Sequence, residues 1–330
     1  MREIAILLLL LATSVRSPGD VWVDPAAGMR FRYIPAGSFL MGSPESDRAR
    51  TADEARHQVT LTRPFWIGET EVTQGQWRAI LGSRPAYFRS CGDDCPVEMV
   101  SWYEAAAFAN ALSARAGLEA CYELAGCRGA LGGGCAGEVQ KCDGDYVCET
   151  ARLKTGCAGY RLPSEAEWER AARAGTDAPL YTGPLTIAGR NNAPELDPIA
   201  WYGGNSGVSY AGAVRCSQWD QKQESAGFCG PHPVRKKKPN PWGLYDMIGN
   251  VWELVEDRAE WDGRTERLLT PGTYRDGAVD PLSQSGPKHV LRGGSWYNFA
   301  SVCRVTQRGS TYAPRRVRTV GFRLARTAGP

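Results

Sequence analysis

Apolar positions in this chain form three short helical stretches among strand-length pieces, then lose their period. In Thr73-Gln74-Gly75-Gln76, Thr73 can cap a helix while Gln76 reaches back to its amide, and Val72 can meet Trp77 across the first turn. Ser101 and Glu104 repeat the pattern, and Trp102, Ala105, Ala106, Phe108, Ala109 and Leu112 supply a helical apolar face before Gly117. Ser164 and Glu167 form a third capping box, with Leu162 and Trp168 as its staple and Gly175 as its stop. Glu104 and Glu167 therefore read as structural carboxylates, not catalytic ones. Phe31 to Gly42 reads as two short strands joined by a turn, and Val59–Leu61 and Phe65–Ile67 as further strand pieces. Beyond 180, Pro, Gly, Asn and Trp predict irregular backbone through 260. Short strands return around Val290–Arg292 and Gly321–Leu324.

The remaining long apolar run is at the start. Nine apolar residues, Ile4 to Ala12, are too few to span a bilayer and fit a signal peptide over 1–18. A buried core helix is the other reading of the same run. Eleven cysteines agree with export, to the periplasm or beyond the cell. Six lie in a Gly-rich segment between 121 and 157, and Cys216 and Cys229 bracket another polar stretch. Too apolar-poor to hold by burial, such loops call for cross-links. The first cluster contains neither CxxC nor His, which weighs against zinc. Five disulfides would leave one thiol, for which Cys303, outside both clusters, is the candidate.

Composition adds exclusions. The 330 residues carry 39 Lys plus Arg against 36 Asp plus Glu, a net charge of +3, so nothing global favours nucleic acid. Lys236-Lys237-Lys238 and Arg315, Arg316 and Arg318 read as solvated charge. No segment after the first predicts a stable membrane span.

Seven pieces, in order, resemble the formylglycine-generating enzyme family, also called the sulfatase-modifying factor family. They are Ile34-Pro35-Ala36-Gly37-Ser38-Phe39-Leu40-Met41-Gly42-Ser43, Glu71-Val72-Thr73, Val100-Ser101-Trp102, the run Tyr160 to Trp168, the run Gly243 to Glu253, Leu291-Arg292-Gly293-Gly294-Ser295-Trp296 and Gly321-Phe322-Arg323. The resemblance implies an α+β fold, a C-type-lectin-like variant with much irregular backbone. It would form a single domain over 25–328, with Cys-rich insertions at 119–158 and 207–231. It does not settle activity, because the family as known contains copper-dependent oxidases of a substrate cysteine, iron-dependent relatives in ergothioneine-type biosynthesis, and members without an established reaction.

In the oxidases the resemblance implies two cysteines five positions apart after the Gly-Gly-Ser-aromatic turn, holding soft Cu(I) as thiolates. Here those positions are Asn298 and Cys303, so the candidate catalytic set is Ser295, Trp296, Asn298 and Cys303, with half the copper pair missing. Cys303 could be a reactive thiol if Arg304 and Arg308 face it, an inert core residue, or a disulfide partner. His57, His232 and His289 are too scattered to predict an iron triad. The resemblance also implies structural calcium on the Asp246 and Glu253 side chains and the Gly249 and Val251 carbonyls, with a second ion near Asn205. Three functions remain open: a thiol oxidase acting on a protein, peptide or small-molecule thiol; a non-catalytic exported domain binding protein, peptide or glycan around Trp296 and Trp242; and an envelope-associated accessory protein.

Overall fold

The structure, a computed structural model, describes residues 16–329 except 138, 265 and 266. The predicted signal over 1–18 lies, but for its last three residues, outside the described residues. Among those, no helix is long and apolar enough to cross a membrane.

All three predicted helices form: α1 (Gln74–Leu81), α2 (Trp102–Arg115) and α3 (Glu165–Arg173), each opened by its reciprocal capping box. Val72 and Trp77 share one core, as a staple requires. Leu162 and Trp168 do not, because Trp168 turns into a different core. Ala174, at φ 47°, takes the left-handed cap of α3 one residue before the expected Gly175.

The strands distribute over several small sheets. β1 (Val21–Val23), β2 (Arg30–Ile34), β5 (Phe65–Gly68) and β18 (Ala325–Thr327) form one antiparallel sheet that joins the two ends of the described chain. β3 (Gly37–Met41) pairs with β4 (His57–Leu61), which pairs with β13 (Ala278–Val279). The strands predicted over 31–42 are therefore both present but are not a hairpin. The corner between them is held by Arg170 of α3, whose guanidinium donates to the carbonyls of Pro35, Ala36 and Ser38.

The largest sheet runs β12 (Arg267–Leu269), β11 (Trp252–Asp262), β14 (Lys288–Arg292), β15 (Arg308–Tyr312), with β17 (Val320–Phe322) parallel to β11. This corrects the expectation of irregular backbone through 260. Residues 253 to 257 of β11 are all buried, so the strand lacks the alternation that reveals a half-buried one.

Both Cys-rich insertions are cross-linked. The first carries β6 (Tyr122–Ala125) paired with β8 (Thr150–Leu153), and β7 (Lys141–Asp143) paired with β16 (Arg315–Val317). It is closed by Cys121–Cys157, Cys127–Cys148 and Cys135–Cys142. The second carries β9 (Val214–Arg215) and β10 (Phe228–Cys229), closed by Cys216–Cys229. Cys91–Cys95 completes the set and leaves Cys303 unpaired.

Glu104 does the structural work expected of it. Its carboxylate receives Ser101 N, Gly132 N from the insertion and the buried Arg316 guanidinium. Arg316 and Arg318 are therefore not solvated, contrary to expectation: both are buried, and Arg318 packs over Tyr87. Lys237 likewise lies 3.8 Å over the Trp201 ring and pairs with Asp197.

Candidate functional site

The turn after β14 brings part of the predicted catalytic set together. Gly293 and Gly294 take φ of 94° and 77°, and a Cβ on Gly294 would meet the Cys303 sulfur at 3.0 Å. That close approach requires glycine. Ser295 Oγ donates to Asn298 Oδ1 at 2.6 Å, and the Asn298 backbone is fixed by Ser295 O and Gly203 N. Trp296 is fully buried, edge-on to Phe88 with centroids 5.3 Å apart, and its indole N–H has no partner.

Cys303 is the decisive residue. It is 0% exposed and belongs to the core that also holds Trp168, Tyr202 and Ala300. Burial pushes its thiol up to about 12, against the smaller lowering effects of a Ser295 backbone hydrogen bond and Arg304. The two arginines expected to activate it are engaged elsewhere. Arg304 grips Glu54, and Arg308 grips Glu165. A buried neutral thiol beside a hydrogen-bonded amide is no pair of soft, charged ligands, so the residues present do not fit a two-thiolate Cu(I) site.

The calcium positions give a different picture. Asp246, at φ 55°, accepts Arg235 N through Oδ2 at 2.8 Å and leaves Oδ1 buried without a partner. Both carboxylate oxygens of the fully buried Glu71 are also unpartnered. Glu253 is occupied, by Arg323 at 2.6 Å through both oxygens and by Trp168 Nε1 at 2.7 Å. Burial, then Asp246 and Glu253, push the Glu71 carboxyl well up, and burial lifts Asp246 to about 6. Three buried carboxyl groups thus share one guanidinium, an imbalance that a hard cation would offset. Among the described residues no group of three or more His, Cys, Asp and Glu side chains could hold an ion. A cation here would therefore need backbone oxygens, for which Gly249 and Val251 are the candidates. Gly249 has φ 80°, and a Cβ there would strike Trp201 O at 2.3 Å. Asn205 offers less: its Oδ1 accepts Tyr202 N, and its Nδ2 donates to Asp197 and Ala200.

The histidines stay apart. His57 bonds the carbonyls of Ala55 and Thr273, His232 stacks on Trp201, and His289 stacks on Trp102. Trp242 does not join Trp296 either, since it packs against the first core under Arg170 while Trp296 lies in the third. Sequence reasoning missed what covers Trp296. Trp219, from the second insertion, stacks on it at 6.1 Å and meets Tyr297 edge-on at 5.1 Å. Tyr297 is 45% exposed and Phe299 37%, with the Arg190 guanidinium 3.8 Å over the Phe299 ring. The signal was present as aromatics flanking Asn298, but their exposure is a tertiary fact.

Comparison with known proteins agrees with this architecture and shows how widely its uses differ. A family model described as "Sulfatase-modifying factor enzyme 1-like domain" matches residues 25–328. "Chaperone protein LppX" of Paenibacillus barcinonensis is 30% identical over 94% of this chain and 93% of its own. The formylglycine-generating enzyme of Streptomyces coelicolor is 28% identical over 89% and 88%. Among solved structures, Treponema denticola variable protein 1 superposes with a TM-score of 0.66 at 31% identity, covering 94% of this chain and 99% of that one. PvdO from Pseudomonas aeruginosa gives 0.64 at 24%, covering 95% and 100%, a likeness of fold alone. With the fold, the ordered motifs and a match across nearly its whole length in agreement, this chain belongs to the sulfatase-modifying factor family.

Proposed function

We propose that this chain is a non-catalytic, exported member of the family that binds polypeptide, rather than a thiol oxidase. The observation that carries the reading is the burial of Cys303 behind Gly294, with Asn298 where the oxidases have their other cysteine. An oxidase must present its thiol to metal, oxygen and substrate, and a sulfur with no exposed surface presents nothing. In place of a reactive thiol, the surface above Trp296 offers Trp219, Tyr297 and Phe299 beside Arg190, the residue types that dominate protein-binding surfaces. The chaperone name of a relative matched along almost its full length agrees with polypeptide binding. Five disulfides agree with an oxidising compartment.

Anaerobic Cu(I) titration of wild type and C303A, with thiol counting on the same samples, tests the negative half. Neither protein should take up copper through position 303, and neither should oxidise a cysteine-containing peptide. Stoichiometric, Cys303-dependent copper would restore the oxidase reading. Binding of reduced, carboxamidomethylated ribonuclease A, an unfolded chain of net positive charge, tests the positive half. It should be unchanged in C303A and fall about tenfold in Y297A/F299A. Equal binding by all three proteins would remove the aromatic surface from the account.

A further inference from the structure

A second cleft, sharing no lining residue with the aromatic surface, lies between the first Cys-rich insertion and the loop over 280–287. It consists of two chambers of about 330 and 460 Å³ that meet at Leu153, Glu256 and Gln284. Three features of its walls converge.

The first is a free strand edge. Ala151, Arg152 and Leu153, consecutive residues of β8, all line the larger chamber. Successive side chains of a strand leave on opposite faces, so a cavity touching every residue in turn follows the edge and not a face. β8 pairs with β6 in a two-stranded sheet, and no β6 residue lines the chamber. The edge turned to the cleft is the one without a partner strand among the described residues. An unpaired edge is a template for another extended chain.

The second is the floor. Trp102 and His289, 2% and 5% exposed, stack with centroids 4.2 Å apart, and both line the larger chamber. Trp102 Nε1 and His289 Nδ1 are buried with no hydrogen-bond partner. Burial, with Arg258 nearby, pushes His289 down to about 3, so its ring is neutral and can accept at one nitrogen. An indole N–H and an imidazole acceptor together match the carbonyl and N–H of a peptide group. Leaving both unpaired costs about 1–3 kcal/mol each.

The third is charge. Arg63 in the smaller chamber and Arg258 in the larger are exposed, and among the described residues neither side chain makes a hydrogen bond or ion pair. The four acids of the lining each have a partner: Glu167 has Arg161, Asp280 the backbone N–H and hydroxyl of Thr62, the buried Glu256 the Tyr122 hydroxyl, and the exposed Glu149 Arg128 at 3.8 Å. The uncommitted charge at both ends is positive.

We propose that this cleft binds an extended acidic peptide segment of a partner protein, added along the free edge of β8, with its backbone on Trp102 and His289 and its carboxylates on Arg63 and Arg258. The site goes beyond the aromatic surface proposed above, and either can fail without the other. A glycan could use the two floor atoms but has no use for a strand edge.

The test uses the full chain and fluorescence anisotropy at low ionic strength. The probes are a fluorescein-labelled peptide alternating Glu and Thr, its Lys/Thr counterpart, and labelled oligogalacturonate as an acidic glycan. The Glu/Thr peptide should bind saturably and the Lys/Thr peptide should not. R63E/R258E should weaken binding about tenfold or more, and R63Q/R258Q by less. W102F, which keeps an aromatic ring and removes the donor, should cost about fivefold. Y297A/F299A should leave binding unchanged. Absence of saturable Glu/Thr binding, equal binding of the Lys/Thr peptide, or indifference to both arginine pairs in variants with native circular dichroism would overturn the proposal. So would preference for oligogalacturonate over the peptide.

Discussion

Two buried acid–base clusters in this molecule solve the same problem differently. Around Arg304 every group is matched: the guanidinium donates to both oxygens of Glu54, to Thr306, to Gln307 and to the carbonyls of Ala49 and Ser301. Burial alone would raise Glu54, but the hydrogen bonds and charge of Arg304, with Ser43 and Thr51, outweigh it and hold the carboxyl at about 2. Around Arg323 the acids outnumber the base, and three carboxylate oxygens on Glu71 and Asp246 find no donor. The first cluster is a finished strut joining the loop over 44–57 to the segment over 301–307. The second leaves buried negative charge unmatched, which a hard cation would offset.

Replacing the same acid by its amide should separate the two most widely. E54Q strips the buried Arg304 of its bidentate carboxylate, leaving Asp47 at 3.3 Å as counter-charge, and should cost about 3 kcal/mol in chemical denaturation. A loss below about 1 kcal/mol would mean that the strut carries nothing. Acid should reproduce that loss. Glu54 titrates lower in the folded chain than its unfolded value of 4.5, so its contribution is complete above about pH 4.5 and disappears as pH falls toward 2. Denaturation of wild type minus E54Q should therefore lose roughly 3 kcal/mol across that window, and a flat difference would contradict the assignment.

Calcium should act on the other cluster. At a hundredfold excess over its Kd it should stabilise wild type by about 2–3 kcal/mol and leave D246A unmoved. If thermal midpoints ignore calcium, or if D246A still responds, the cation explanation of the unpartnered oxygens fails. The smallest effect belongs to E71Q, which in chelator should stay within about 1 kcal/mol of wild type, because Glu71 has no donor to lose. A penalty as large as that of E54Q would show the two clusters to be equivalent after all.

What the sequence disclosed was local or redundant. The capping boxes at Thr73, Ser101 and Ser164 lie within four residues and need nothing distant to be recognised. Ordered motifs disclosed the family and its fold, and the odd cysteine count singled out Cys303 before its burial was known. The larger failures are long-range. β11 escaped because it is buried on both faces, the Arg304 strut because Glu54 lies 250 residues away, and the exposed Tyr297 because exposure has no local signature. Arg316 looked solvated because its acid, Glu104, is 212 positions earlier.

The first insertion enters and leaves the domain at nearly one point, for Cys121 and Cys157 bring their Cα atoms within 5.3 Å. A segment so tied at its neck behaves as a detachable cassette. It could be shortened, exchanged or transplanted without re-routing the helix it hangs from, provided the graft keeps an amide for Glu104 to grasp, as Gly132 does here, and a strand to pair with β16, as β7 does. In a family with one scaffold and many occupations, such a neck lets an exchange at one place supply a new surface.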